Sequence, residues 1–330
     1  MDTAPTPDAA LRETLARLRA AHRRQPPAYR QRMDDLERLA EALRRHKDAL
    51  VEAVSADFGR RSRHVTLAAD VMTTLGEIHH LRKNLRRWMR PRRVGVNWAF
   101  LPARAELRPM PLGVVGIMAP WNYPIQLVLV PLADAIAAGN HVMVKPSEFT
   151  PRTSALLATL LGEVFPADRV AVAQGDAAVG AAFSRLPLDH LLFTGSTAVG
   201  KAVMAAAAPN LVPVTLELGG KSPALIAPDY PIEHAAERIA AGKCFNAGQT
   251  CVAPDYVLVP RDRRDEFVRA WLAAVRRRYP SLAGNPDYTA VVNHRQADRL
   301  REWLDDARER GVSVVQHRPD DQPAPMGVEV

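Results

Sequence analysis

Cysteine is almost missing from this chain: its 330 residues hold two, Cys244 and Cys251. Two cannot build a disulfide framework, and no CxxC or His/Cys spacing fits zinc, so neither a stapled scaffold nor a metal site is expected. Their spacing of seven would put them on about one face of a helix, which leaves an oxidative pair open. The plainer reading makes Cys244 a small buried hydrophobe. Long apolar runs are missing too. The longest candidate, Ile125 to Ala138, is interrupted by Gln126, Pro131 and Asp134, so no membrane span is expected. The opening Met1-Asp2-Thr3-Ala4-Pro5-Thr6-Pro7 lacks a basic segment followed by an apolar one. It does not read as a secretory leader, and a cytoplasmic location is expected.

What remains is globular in composition, with 47% hydrophobic residues, enough for one large core or two ordinary domains. The net charge of +8 is unevenly spread. Residues 1–110 carry 23 Lys+Arg against 13 Asp+Glu, and the remainder carries 21 against 23. Arg60-Arg61-Ser62-Arg63 and Arg86-Arg87-Trp88-Met89-Arg90-Pro91-Arg92-Arg93 offer cations to phosphates, but such runs are usually solvated helix faces. No specific nucleic-acid partner is expected.

Residues 11–90 have helical periodicity, with Leu11, Leu15 and Leu18, then Leu36, Leu39, Leu43, Leu50 and Val54 between charged positions. Pro26-Pro27 separates the first helix from the second. Short strand-like runs follow Pro91, including Ala105 to Met110. From Leu112 strands and helices alternate: Val114–Met118, a helix near 125–138, His141–Lys145, a helix opened by Thr150-Pro151, Val170–Ala173, a helix after Asp176, Leu191–Phe193, and a helix over 197–208. That order predicts a parallel sheet covered on both faces. A second unit is expected beyond Pro213, with strand-like Val214-Thr215-Leu216 and Ala224-Leu225-Ile226, a helix near 232–245, a strand over 256–259, and helices over 263–278 and 295–310. The stretch Pro319 to Met326 is turn-rich. The fold class is therefore α/β, a doubly wound parallel-sheet domain followed by a second α/β domain. The expected divisions are 1–90 helical, 91–111 bridging strands, 112–216 sheet core and 217–330 second domain.

Two segments carry the chemistry. Glu217-Leu218-Gly219-Gly220-Lys221-Ser222-Pro223 and Phe245-Asn246-Ala247-Gly248-Gln249-Thr250-Cys251 place an acid and a thiol 34 positions apart, each beside a glycine turn. A thiol attacks and a carboxylate takes a proton from water, which suggests covalent catalysis followed by hydrolysis. An amidase or thioesterase fits the bare pair equally well. Thr194-Gly195-Ser196-Thr197-Ala198-Val199-Gly200-Lys201 follows a strand and opens a helix, where free backbone N–H groups meet phosphates. A P-loop needs Ser or Thr after the lysine, and Ala202 stands there. A metal-free pyrophosphate is the better ligand, beside the bland reading of an ordinary capped turn. No G-x-G-x-x-G follows Val114, which disfavours a standard Rossmann dehydrogenase. Lys145-Pro146-Ser147-Glu148 ends another strand and offers a cation and an acid to ribose hydroxyls. In Pro120-Trp121-Asn122-Tyr123-Pro124 the Asn122 amide suits a developing oxyanion, although backbone capping is the commoner use of such an asparagine.

Taken in order, these five segments resemble the aldehyde dehydrogenase superfamily from about residue 10 onward. Leu101 to Pro109 and Asn246 to Tyr256 resemble its coniferyl-aldehyde dehydrogenase branch, near the class 3 enzymes. The resemblance implies Cys251 as nucleophile, Asn122 and the Cys251 backbone N–H as oxyanion donors, and Glu217 as general base for thioester hydrolysis. It further implies Lys145 and Glu148 on the adenosine ribose, and Gly195, Ser196, Thr197, Ala198, Val199 and Gly200 by the pyrophosphate. The cofactor would be NAD, with NADP possible, and the substrate an aldehyde, of aromatic or medium-chain type in this branch, such as coniferyl aldehyde. A full-length relative would be a homodimer. Family members also carry a Glu-x-Phe-Gly-Pro motif that this sequence lacks, so the chain is expected to be a fragment with an incomplete cofactor clamp and an incomplete second domain. The alternative is a catalytically impaired binding or interaction protein on the same fold.

Overall fold

A computed structural model describes residues 7–282 and 284–315; the turn-rich stretch 319–326 lies outside them. Two compact units emerge. One comprises residues up to Asp48 with Ala69–Glu148 and Ser154–Glu217; the other comprises Ala49–Ala68, Phe149–Thr153 and Leu218 onward. Residues 49–68 and 149–153 thus group with the segment from Leu218 onward.

The chain begins with α1 (Pro7–Arg24) and α2 (Tyr29–Asp57), separated at Pro26-Pro27. Their leucine stripes are core: Leu11, Leu15, Leu18, Leu36, Leu39, Leu43 and Leu50 are all buried. A short α3 (Arg63–Val65), capped by Ser62, runs through a π-helical turn at Thr66–Met72 into α4 (Thr73–Trp88). The small antiparallel pair β1 (Arg92–Val94) and β2 (Ala105–Leu107) follows.

The sheet of the first unit alternates with helices: β3 (Val114–Met118), α5 (Gln126–Ala137), β4 (His141–Lys145), α6 (Pro151–Val164), β5 (Val170–Val172), α7 (Ala177–Ser184), β6 (His190–Gly195), α8 (Thr197–Ala207) and β7 (Val214–Leu218). Its order is β5-β4-β3-β6-β7, and β3 runs parallel to β4 and β6, as β4 does to β5. Every residue of β3 and β4 is buried, as strands covered on both faces must be. Three polar side chains fix the start of β3. Asn140 Oδ1 accepts the Leu112 and Gly113 N–H groups at 2.7 and 3.1 Å, and the Asp189 carboxylate accepts Val114 N–H at 2.7 Å while Arg19 holds that carboxylate at 3.2 Å.

One expectation needs correction. Val214-Thr215-Leu216 does not open the second unit; it lies in β7, hydrogen-bonded beside β6 at the edge of the first sheet. The Leu191 N–H donates to the Pro213 carbonyl at 2.9 Å, and the His190 ring meets Thr215 Oγ1 at 3.0 Å. A partly polar strand reads as a new beginning, yet an edge strand is half-exposed and needs no continuous apolar run.

In the second unit β8 (Ser222–Leu225) pairs parallel with β9 (Pro254–Leu258). Helices α9 (Ile232–Cys244), α10 (Arg264–Arg278) and α11 (His294–Glu309) complete it. Ile226, Ile232, Ala235, Ala236 and Phe267 form one apolar cluster, and Ala240, Cys244, Ala274 and Val275 another. Of the basic run at 60–63 only Arg63 is the solvated charge expected; Arg60 and Arg61 are not. Arg61 is buried, with its guanidinium 5.0 Å from the centre of the Phe58 ring. Arg60 donates to the Tyr288 and Leu282 carbonyls at 3.2 and 3.3 Å. The Arg60 guanidinium thus ties Leu282 and Tyr288 to the segment 49–68, in keeping with the place of those residues in this unit.

Candidate active site

Sheet order creates the first element of a site. Strands β3, β4 and β5 extend in one direction and β6 and β7 in the other, so the winding reverses between β3 and β6. Loops leaving two adjacent parallel strands in opposite directions open a crevice at their carboxyl ends. The loop after β3 carries Asn122, and the loop after β6 is the Gly195–Gly200 turn, with Met118 and Phe193 paired in register just before them.

Ser196 caps α8: its Oγ accepts the Val199 N–H at 3.4 Å, and its carbonyl accepts Gly200 N–H at 2.9 Å. Ser196, Thr197, Ala198 and Val199 are exposed, whereas Gly200 is buried. Gly195 has a local reason to lack a side chain, because a Cβ there would sit 2.5 Å from the Phe193 ring. The result is an exposed helix N-terminus on one lip of the crevice, a place where anions are stabilised by unpaired N–H groups and the helix dipole.

Lys145 closes β4, next to β3. Its Nζ donates to Glu148 Oε2 at 2.9 Å, with the lysine side chain 6% exposed and the glutamate 35%. The structure thus brings these two predicted residues together. It also ties their strand to the Asn122 loop, since Ala119 N–H donates to the Lys145 carbonyl at 3.0 Å.

Asn122 is half-buried, and its Oδ1 accepts the Tyr123 N–H at 3.1 Å. The loop itself is held from a place that sequence reasoning missed. Asp70, fully buried in the π-helical turn, accepts the Ile125 and Gln126 N–H groups at 3.1 and 3.0 Å. Ile125 occupies the cap position of α5 and has no side-chain acceptor, so Asp70 supplies the cap from another element. A π-helical turn in a helix interior was the structural sign, and no sequence pattern announces one.

Glu217 lies on β7 with its side chain exposed, the last residue of the first unit. Gly219 and Gly220 follow, and a Cβ added at either would meet nothing within 4 Å. In the second unit Lys221 pairs with Asp255 at 3.1 Å and lies 5.0 Å from the centre of the Trp303 ring.

Cys251 belongs to the second unit and is exposed. It sits in a turn closed by the Ala253 N–H donating to the Thr250 carbonyl at 3.1 Å. Just before it, Asn246, Ala247 and Gly248 adopt left-handed backbone in succession, with φ of 52°, 53° and 76°. Two of these are not glycine, so the surroundings must hold them there. Cys244, by contrast, is buried at the end of α9, and burial pushes its thiol pKa up. The two cysteines therefore do not share a helix face: α9 ends at Cys244, and the left-handed run redirects the chain. Among the described residues no group of three or more His, Cys, Asp or Glu side chains is placed to hold a metal ion, and no helix is long and apolar enough to cross a membrane.

The family model described as the aldehyde dehydrogenase family matches residues 3–326. A "Probable coniferyl aldehyde dehydrogenase" of Pseudomonas aeruginosa is 54% identical over 306 residues, covering 92% of this chain and 64% of the relative. A "Coniferyl aldehyde dehydrogenase" of Pseudomonas sp. is 46% identical over 286 residues, covering 86% and 59%. Among solved structures, an aldehyde dehydrogenase of Mycobacterium tuberculosis complexed with NAD+ superposes with a TM-score of 0.83 at 28% identity, covering 92% of this chain and 63% of that one. The chain spans about three fifths of the length of the curated relatives it matches.

Proposed function

The chain belongs to the aldehyde dehydrogenase family, and from that premise we propose that it carries the nucleophile and much of the cofactor platform of an enzyme oxidising an aldehyde to its carboxylic acid. The observation that carries this reading is Cys251, an exposed thiol on a backbone turn that three left-handed residues impose. Its Sγ bonds to the aldehyde carbon, and the oxyanion so formed takes hydrogen bonds from the Asn122 amide and the Cys251 backbone N–H. A nicotinamide dinucleotide, when bound, would supply the hydride acceptor for the thiohemiacetal held on Cys251. Glu217 then removes a proton from water, which attacks the thioester and frees Cys251 with release of the acid.

The residues present fit such a cofactor. The exposed helix N-terminus at Ser196–Val199 suits a pyrophosphate without a metal, and Lys145 with Glu148 offers a donor and an acceptor to ribose hydroxyls. An acid beside a 2′-hydroxyl favours NAD. Because Lys145 already shares its charge with Glu148, NADP is not strongly repelled. The similarity to coniferyl aldehyde dehydrogenases supports aromatic aldehydes as the substrate class. An exposed thiol that must stay reduced suits the cytoplasm.

The test is spectrophotometric. The chain is incubated with coniferyl aldehyde and NAD, and NADH formation is followed with Cys251→Ala as control. Cofactor-free hydrolysis of p-nitrophenyl acetate, lost in Cys251→Ala, reports the nucleophile separately. A chain in which the Cys251→Ala change alters neither reaction refutes the assignment.

A further inference from the structure

We propose that Gln249 is a positioning residue, one that fixes the backbone of Cys251 for attack on a carbonyl; this rests on the reading of Cys251 as nucleophile. Two residues before Cys251, the Gln249 carboxamide joins two backbone segments of the second unit. Its Nε2 donates to the Asn246 carbonyl at 3.0 Å and to the Ala290 carbonyl at 3.0 Å. Its Oε1 accepts the Val292 N–H at 3.0 Å. Donor and acceptor are thus both engaged, as an amide in a sheet ladder would be.

Each end of the clamp is anchored. Ala290 donates its own N–H to the Arg60 carbonyl at 2.9 Å, and Arg60 is held through its guanidinium to Tyr288 and Leu282. At the other end the Gln249 N–H donates to the Asn246 carbonyl at 3.1 Å, and the Asn246 side chain donates to the Gln249 carbonyl at 3.3 Å. Asn246 is buried, so this knot is shielded from water.

Left-handed backbone at Asn246 and Ala247 is disfavoured in isolation and persists only under such cross-linking. Gly248 leaves no slack either, because a Cβ there would lie 3.2 Å from the Lys243 carbonyl oxygen. The direction in which the chain leaves Gly248 decides where the Thr250–Ala253 turn presents the Cys251 N–H and Sγ. Gln249 is the side chain that sets that direction. It touches no reacting atom and acts through the backbone.

Two probes separate positioning from mere folding. With p-nitrophenyl acetate, a bond forms between Sγ and the acetyl carbon, the bond to p-nitrophenolate breaks, and the thiol proton passes to solvent. This attack needs the backbone N–H aligned on an oxyanion. With iodoacetamide, Sγ bonds to the methylene carbon as iodide leaves, and no oxyanion forms. The full chain is compared with Gln249→Met, Gln249→Glu and Ile239→Ala, the last a packing change on α9, where Ile239 lies against the cluster of Ile226, Ile232 and Phe267. Acetylation of Cys251 in both Gln249 variants is expected to slow about tenfold or more at saturating ester, with half-saturation little changed. Alkylation is expected to stay within about twofold, following thiol access rather than oxyanion alignment. Ile239→Ala should leave both rates per folded molecule unchanged. If Gln249→Met folds poorly, Gln249→Glu retains an acceptor for Val292 and carries the comparison. Parallel loss of acetylation and alkylation, or the same selective loss in Ile239→Ala, overturns the proposal. It falls alone if the unaltered chain is acetylated at Cys251 and the Gln249 variants match it. Absence of acetylation in the unaltered chain removes the nucleophile reading and the proposal together.

Discussion

Replacing Asp70 by alanine removes the acceptor for two N–H groups at the start of α5. Ile125 is fully buried, so its orphaned N–H has no water to turn to. That costs about 1–3 kcal/mol, while Gln126, partly exposed, contributes the smaller figure of a lost cap, about 0.5–2 kcal/mol. The local loss is therefore about 1.5–5 kcal/mol, which at 1.4 kcal/mol per decade is a roughly 10- to 4000-fold rise in amide exchange. Asp70→Asn keeps an oxygen in place but gives up the charge, and should show about half the free-energy loss. Hydrogen exchange read by mass spectrometry on peptides spanning 119–131 is the assay. It resolves a local event without assuming that a chain of two units unfolds in one step. Exchange in Asp70→Ala within threefold of the unaltered chain, or an asparagine variant as damaged as the alanine one, would refute the reasoning. Because the same carboxylate fixes the end of the 119–125 loop, Asp70→Ala should also slow acylation of Cys251 if Asn122 holds the oxyanion.

Gly113 has φ of +134° and a Cβ there would overlap the Asp189 carboxylate, so Gly113→Ala should destabilise by about 2–5 kcal/mol in urea titration. Gly220→Ala, with open space around it, should stay within about 0.5 kcal/mol in the same experiment. Brief iodoacetamide treatment of the native chain should label the exposed Cys251 and spare Cys244, as peptide mapping will show. Burial, then the nearby charges of His22 and Arg169, lowers the pKa of His141 from 6.5, so the unfolded chain takes up this proton first as pH falls. The contribution of His141 is complete above about 6.5 and is lost as pH falls from there through the folded value, by up to about 1.4 kcal/mol per pH unit. His141→Gln should flatten the stability profile in that window; an unchanged slope counts against the assignment.

Much of the architecture was legible in the sequence because it is local. Leucine spacing in 11–54 defines a buried stripe whatever it packs on, and all the strands of the parallel sheet announce themselves as short apolar or alternating runs. The edge strand β7 was misplaced because pairing is not a property of a strand's own residues. Arg61 shows the same limit: charge predicts solvent, and only the carbonyls and ring that surround residues 60 and 61 reverse that expectation. Gln249 stood in view inside the Gly248–Cys251 segment, yet its partners Ala290 and Val292 lie some forty positions away. Asp70 was invisible, since its partners are backbone N–H groups, which leave no mark in a sequence.

The sequence by itself determined the chemistry available, a thiol after a glycine turn, an acid before one, and an asparagine between prolines, together with the alternating elements that place the last two at strand ends. Tertiary structure alone decided the order of the strands, and with it the crevice between β3 and β6. It also decided which side chains hold the reactive turns in place. The reason is physical: residue type and periodicity are carried along the chain, whereas pairing, burial and hydrogen-bond partnership arise only when distant segments meet.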